Sequence, residues 1–98
     1  MHGNAHEVVV EVKIHGYFSD WLGTTHLEVT GVTVGAVLDE LVERLPPAYQ
    51  HHLRHPLTGQ WGSFFLVLNE ENLQLPHALE RQLVSGDTLH VIAPVAGG

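Results

Sequence analysis

A change in the spacing of apolar residues divides the chain and limits the folds that it can adopt. Between residues 7 and 15, "EVVVEVKIH", one face of the segment is apolar at every second position, with Val8, Val10, Val12 and Ile14. This alternation predicts a half-buried β-strand. Between residues 34 and 45 the apolar residues recur at three- and four-residue spacing instead, which predicts an amphipathic helix. A chain with both patterns must pack a helix on one face of a sheet.

The predicted helix has a clear beginning and end. Thr33 is its expected N-cap, because a threonine hydroxyl can accept a hydrogen bond from a backbone N–H of the first turn. Pro46 and Pro47 prevent its continuation. Beyond them, residues 48–63 have weak periodicity and predict a short helical turn followed by a loop. The helix should bury an apolar stripe under the sheet, formed by Val34, Val37, Leu38, Leu41, Val42 and Leu45.

The remaining strands come from shorter segments. "THLEVT" (25–30) should form a hairpin with the first strand through a longish loop, and "FFLVLN" (64–69) and "TLHVIAPV" (88–95) predict two more strands. "NEEN" (69–72) predicts a turn, and residues 73–83 can hold a short strand and one helical turn. The order predicts an α+β fold of the β-grasp type, a mixed sheet of four to five strands on one main helix. Its first and last strands would lie side by side in the middle.

Composition narrows the class of protein. The 98 residues fit one small domain, with residues 1–6 a loose N-terminus and residues 93–98 a flexible tail. There is no cysteine, so a thiolate metal site or a cysteine nucleophile is excluded and any sulfur chemistry must use sulfur from elsewhere. The formal net charge of -7 disfavours nucleic acid and anionic membranes as partners. Without a signal or membrane-spanning pattern, we expect a soluble cytoplasmic protein.

The chain ends on "VIAPVAGG", residues 91–98. Two glycines are a poor end for a packed element, because glycine loses the most backbone freedom on ordering. Such an end is either a disordered terminus without a function or the functional segment of the protein. Six residues from Ala93, fully extended, reach about 20 Å, which is enough to enter an active site while the domain stays outside.

Three segments together resemble one known family. The helix "TVGAVLDELVERLP", the turn at Gly86-Asp87 with the strand after it, and Pro94 with the terminal Gly97-Gly98 are similar to the MoaD/ThiS family of sulfur carriers, small ubiquitin-like β-grasp proteins. The long loop from residue 55 to 63 and the chain length match the molybdopterin synthase small subunit or cysteine-pathway carriers better than the compact thiazole-pathway carriers. Between those two the sequence does not decide.

The resemblance implies a protein co-substrate rather than an enzyme, with no internal catalytic residue. A carboxylate is a poor electrophile, so Gly98 would be adenylated with ATP by an E1-like enzyme, converted into a thiocarboxylate, and used to donate sulfur. The implied acceptor is the large subunit of a molybdopterin synthase, or another sulfur-accepting enzyme of cysteine or other sulfur transfer. The carrier itself would bind no cofactor. Access to the activating enzyme's cleft would depend on the small tail residues Gly97, Ala96, Val95 and Pro94.

A carrier also needs a surface for its partners. We expect exposed apolar area on the outward side of the sheet, with Phe65, Val67 and Ile92 as candidates. Acidic side chains could steer basic partners, namely Asp39, Glu40, Glu43, Glu70 and Glu71.

Other interpretations remain open. A ubiquitin-like modifier conjugated through Gly98 to target lysines would use the same activated end, and an interaction domain with an inert end would not. The nine histidines invite a metal interpretation, and His51 and His55 have the spacing that places two imidazoles on one helix face. Two ligands do not make a site, so we expect solvated histidines and no metal. Aromatic residues should pack under loops, namely Tyr17, Trp21 and Trp61.

Overall fold

In the computed structural model, which describes residues 7–94, five strands form one mixed sheet. The strands are β1 (Val9–His15), β2 (His26–Thr30), β3 (Phe65–Leu68), β4 (Glu71–Leu73) and β5 (Thr88–Ile92). The helices are α1 (Phe18–Leu22) and α2 (Val34–Arg44), and 3-10 turns cover Pro47–His52 and His77–Glu80. The α+β prediction and the short helical turn predicted after the prolines are confirmed.

The central pair of strands joins the two ends of the domain. The sheet order is β2-β1-β5-β3-β4, and β1 and β5 run parallel with Val12 opposite Leu89. The other neighbouring strands are antiparallel. The predicted arrangement, with the first and last strands side by side in the middle, is confirmed.

Helix α2 begins and ends as the sequence predicts, to within one residue. The Thr33 hydroxyl accepts a hydrogen bond from the backbone N–H of Ala36 at 3.1 Å. At the other end Leu45 is the C-cap, and its N–H donates to the carbonyl of Leu41 at 3.1 Å. The extended backbone of Leu45 follows from the proline after it, which disfavours a helical conformation.

The core lies between α2 and the inner face of the sheet. Strands β1, β3 and β5 contribute alternate residues to the core, so one face of β1 is buried and the other faces outward. No polar or charged side chain among residues 7–94 is buried. The largest fully buried side chains are Phe18, Leu38, Leu41, Leu45, Leu53, Leu66, Leu89, Val10, Val12, Val29, Val34 and Val37.

Two local features differ from the sequence prediction. The hairpin loop contains helix α1, which one buried side chain, Phe18, anchors to the core. The predicted four-residue turn is shorter, because Leu68 pairs with Glu71 and only Asn69 and Glu70 remain between the strands. Asn69 has a φ of 57°, a left-handed conformation that asparagine tolerates better than most residues.

The aromatic residues pack as predicted. Tyr17, Trp21 and Trp61 are partly buried against the core. Trp21 also stacks on Tyr49, with ring centroids 4.4 Å apart. Within residues 7–94 no three histidine or acidic side chains lie close enough together to hold a metal ion. In the same part of the chain, no helix is long and apolar enough to span a membrane.

Candidate functional site

The point where the chain leaves the sheet is fixed by contacts with β1. The Ala93 N–H donates to the His15 carbonyl at 3.0 Å, and Ala93 is 6% exposed. Ala93, which the sequence assigned to the tail, therefore belongs to the core. Pro94 is half-buried and is the last described residue. The other predicted tail residues, Val95, Ala96, Gly97 and Gly98, lie outside the described residues.

The three apolar residues predicted for docking lie together on the outer face of the sheet. Phe65 on β3 is directly opposite Ile92 on β5, and Val67 is opposite His90. Phe65 is 62% exposed, whereas Val67 and Ile92 are half-buried. Alternation along β3 and β5 places them outward, because their neighbours Leu66 and Val91 fill the core. We name Phe65, Val67 and Ile92 the apolar patch; its role in docking stays a prediction.

A histidine pair adjoins the apolar patch, and sequence reasoning did not find it. His15 Nε2 and His90 Nδ1 are 3.0 Å apart, at hydrogen-bond distance, and the rings stack with centroids 5.2 Å apart. Burial, followed by the nearby His15 and Lys13, lowers the pKa of His90. Alternation along β5 places His90 on the same outward face as Ile92, but the pair also depends on the register between β1 and β5.

One lysine completes the polar half of this face. Lys13 is in register with His26 on β2 and with His90 on β5. The neighbouring Glu11 is hydrogen-bonded to His26, and this contact lowers the pKa of the Glu11 carboxyl. The other three basic residues form ion pairs, so Lys13 is the one basic side chain within residues 7–94 that has none.

The acidic side chains proposed for steering are partly neutralised. Glu71 accepts two hydrogen bonds from Arg81, at 2.7 and 2.9 Å, which lowers the pKa of the Glu71 carboxyl. The Arg54 guanidinium pairs with Asp39 across 15 positions in sequence. Glu40 pairs within its own helix with Arg44 at 3.1 Å. Three of the five carboxylates are therefore already paired inside the domain, which reduces their effect on an approaching partner.

The site is an open surface rather than an enclosed pocket. A cleft of about 550 Å³, lined among others by Trp61, Leu75 and Leu79, contains no predicted site residue, whereas a depression of about 440 Å³ beside β3 and β4 includes Phe65. The arrangement can dock a protein surface.

Comparison with known proteins identifies a matching family and several solved structures with a similar fold. The model of the ThiS family matches residues 12–98. The fold is similar to SAMP1, a small archaeal modifier protein from Methanosarcina acetivorans, with 26% identity over 95% of this chain and 99% of that chain and a TM-score of 0.80. A chain of the BexX/CysO complex of Amycolatopsis orientalis gives 25% identity, coverages of 91% and 99%, and a TM-score of 0.68.

A third structure, a Pyrococcus furiosus protein assigned as subunit 1 of a molybdopterin converting factor, is 19% identical over 90% of this chain and 99% of that chain, with a TM-score of 0.67. At that identity the likeness concerns the fold alone. No curated protein matches the chain significantly. The fold is the ubiquitin-like β-grasp fold, as predicted.

Proposed function

The chain belongs to the ThiS family, and we propose that it is a sulfur carrier loaded at Gly98. One observation carries the proposal: the family match runs from the middle of β1 through the last residue, and so includes the glycine pair. The fixed position of Ala93 supports it, because a rigid exit gives the following residues a defined starting point. Members of this family with this size and fold are small carriers or modifiers and not enzymes.

The loading chemistry needs two displacements. A Gly98 carboxylate oxygen attacks the α-phosphorus of ATP and expels pyrophosphate, which gives an acyl adenylate. A sulfide equivalent then attacks the acyl carbon and expels AMP, which leaves a thiocarboxylate. Both steps take place on a partner of the E1-like adenylating and sulfurating class. Gly97 admits the end into a narrow cleft, because it has no Cβ to collide with the walls.

The domain contributes recognition rather than chemistry. The apolar patch adjoins the exit, because Ile92 on β5 is two positions before Pro94 and Phe65 on β3 lies opposite Ile92. A partner that covers the patch therefore also holds the start of the tail. We propose that this surface binds the activating enzyme and, after loading, the sulfur acceptor. The first acceptor we propose is the large subunit of a molybdopterin synthase, with cysteine or other sulfur transfer as the alternatives.

A second function, protein modification, is favoured by one finding. The similarity to SAMP1, named as a modifier protein, fits an end that forms an isopeptide bond with a target lysine. Carrier and modifier share the adenylate and differ only in the nucleophile that consumes it.

The intact mass of the protein purified from its native host separates these functions. A form in which one oxygen is replaced by sulfur, localised to Gly98 by fragmentation, is the result expected for a carrier. Lysines of other proteins that carry a branched C-terminal remnant, which after trypsin comprises residues 82–98 because Arg81 is the last cleavage site, would establish the modifier instead if the sulfur form is absent. An unmodified end under all growth conditions, with no remnants, would contradict both.

A further inference from the structure

Strand β2 is one of the two edges of the sheet, and the ladder with β1 determines which of its residues face the open side. The Ile14 N–H donates to the Thr25 carbonyl at 2.9 Å, so Thr25 is directed toward β1. Backbone groups of successive residues alternate between the two sides of a strand, so the odd-numbered residues of β2 bond to β1 as well. His26, Glu28 and Thr30 therefore direct their N–H and C=O groups toward the free edge.

Part of this edge is already satisfied. The Thr24 hydroxyl accepts from the N–H of the first residue of β2 at 3.1 Å and donates to its C=O at 2.8 Å. Beyond the strand, the Leu83 N–H donates to the Val32 carbonyl at 2.9 Å. Between these contacts, Glu28 and Thr30 have no hydrogen-bond partner on the open side within residues 7–94. The edge thus presents two backbone donors and two acceptors, which is the pattern that an added strand would use.

The side chains at this edge differ between the two faces of the sheet. On the outer face Glu28 is exposed and lies directly opposite Glu11 of β1. Lys13 is in register with His26, so this part of the face carries two carboxylates against one ammonium group. Glu11 is paired with His26, whereas Glu28 has no ion pair within the described part of the chain. On the inner face Leu27 is partly buried against the core.

We propose that the β2 edge binds an extended segment of a partner protein, which adds a strand to the sheet and places a basic side chain beside Glu28. Backbone hydrogen bonds supply affinity in this mode of recognition, and alternate side chains supply selectivity. Because successive side chains of a strand point to opposite faces, the residue next to the basic one lies over Leu27 and should be apolar. Charge complementarity carries the choice of a basic segment, since like charges opposite each other on neighbouring strands are destabilising.

A second copy of this chain fits the edge poorly. A two-fold antiparallel pairing that uses both Glu28 and Thr30 places Glu28 directly or diagonally opposite its own copy, where the two carboxylates repel. The edge is also separate from the apolar patch, because β1 lies between β2 and β5 in the sheet. Binding at the β2 edge is therefore independent of the loading of Gly98.

Amide NMR with two blocked pentapeptides tests the proposal. In one peptide valine alternates with lysine, and in the other valine alternates with glutamate. The lysine peptide should shift the amide signals of Glu28 and Thr30, slow their hydrogen exchange, and bind about fivefold or more tightly than the glutamate peptide. If the charge of Glu28 serves only to keep the edge from pairing, neither peptide shifts these signals at up to about 10 mM, a range that covers weak binding, and the proposal fails.

Three variants locate the effect. Glu28→Lys should invert the preference between the peptides, whereas Glu43→Lys makes the same change in net charge on the exposed side of α2 and should leave the lysine peptide preferred. Thr30→Pro removes an N–H that does not bond to β1 and should abolish the shift at Glu28. Thermal melting verifies that the variants fold, and Glu28→Lys decides the question if Thr30→Pro does not.

Three other outcomes overturn the proposal. They are equal binding of the two peptides by the parent, an unchanged preference in Glu28→Lys, and peptide-induced shifts confined to residues outside β2. Shifts of the Glu28 and Thr30 signals that grow with protein concentration in the absence of peptide would assign the edge to a second copy instead.

Discussion

Gly16 lies directly against Ala93, so that a Cβ atom placed on Gly16 would come within 2.9 Å of the Ala93 Cβ. This contact brings the end of β1 against the residue after β5, where the Ala93 N–H also bonds to the His15 carbonyl. Gly16 has a φ of 86°, so it needs glycine both for its backbone and for this close approach.

Replacing Gly16 by alanine should therefore destabilise the domain more than the same substitution at a left-handed glycine that has no close neighbour. The matched control is Gly23→Ala, because Gly23 has a φ of 79° and open space around it. The control should lose about 1 to 2 kcal/mol from the backbone conformation, and Gly16→Ala about 1 to 3 kcal/mol more from overpacking. Urea unfolding of the two variants measures the difference. Equal losses would mean that the Ala93 contact has no energetic role.

The second prediction concerns the helix stripe. Leu41 is fully buried under the sheet, so Leu41→Ala should leave a cavity and reduce the free energy of unfolding by about 2 to 5 kcal/mol. Glu43→Ala, on the exposed side of the same helix, should change it by less than about 0.5 kcal/mol. Chemical denaturation measures both. A Leu41→Ala variant as stable as the parent would contradict the packing of α2 on the sheet.

The third prediction concerns the apolar patch. Phe65 is 62% exposed, so Phe65→Ser should leave stability nearly unchanged but weaken binding to the activating enzyme about tenfold or more, as loss of a central apolar anchor does. Leu57→Ser is the matched control, because Leu57 is 89% exposed on a loop outside this face. Titration calorimetry compares the two. Equal binding by both variants would show that the partner uses another surface.

The fourth prediction is the titration of His90. Burial is the largest cause of its lowered pKa and the charge of His15 the second, so His15→Gln should raise the pKa of His90 without restoring the ordinary value. NMR titration of the ring protons measures the shift. His77→Gln, on the 3-10 turn after β4, is the control and should leave the titration unchanged.

The lowered pKa of His90 also determines the direction in which stability changes with pH. Because the pKa of His90 is lower in the folded state than in the unfolded chain, the unfolded chain binds the proton first as the pH falls. The contribution of His90 to stability is therefore present above its unfolded pKa of about 6.5, and is lost as the pH falls through the lowered value. The free energies of unfolding of the parent and of His90→Gln are compared as the pH is lowered from neutral. If the parent gains stability relative to the variant on acidification, this sign is wrong.

The fifth prediction separates access from chemistry at the terminus. Deleting Gly98 moves the reacting carboxyl back by about 3.5 Å, and a displacement of about 1 Å can already cost a hundredfold in a positioned reaction. Gly97→Trp keeps the length and the carboxylate but adds a side chain that a narrow cleft excludes. ATP–pyrophosphate exchange should therefore collapse in both variants, while binding of the domain persists.

Both variants should melt like the parent, because the buried core of the described residues ends at Ala93. If the variant without Gly98 supports exchange at the parent rate, the Gly98 carboxyl is not the reacting group. That result would contradict the proposed carrier function.

Elements with a regular spacing of apolar residues could be predicted from the sequence. Contacts that depend on how strands distant in sequence align with each other could not. The stripe from Val34 to Leu45 and the alternation in β1 each report burial locally, so the sequence predicts α2 and the central strands. Helix α1, with five residues, is too short to establish a helical period. The His15–His90 contact joins residues 75 positions apart, and only the parallel register of β1 and β5 brings them together.

The parallel pairing of β1 and β5 also determines how the domain responds to force. The tail leaves from the far end of β5, while the preceding chain enters at the opposite end of β1. Tension between the two ends therefore slides these strands past each other and strains their hydrogen bonds together, instead of opening them one at a time. A pull on the tail while the start of β1 is held would therefore load the hydrogen bonds between β1 and β5 in shear.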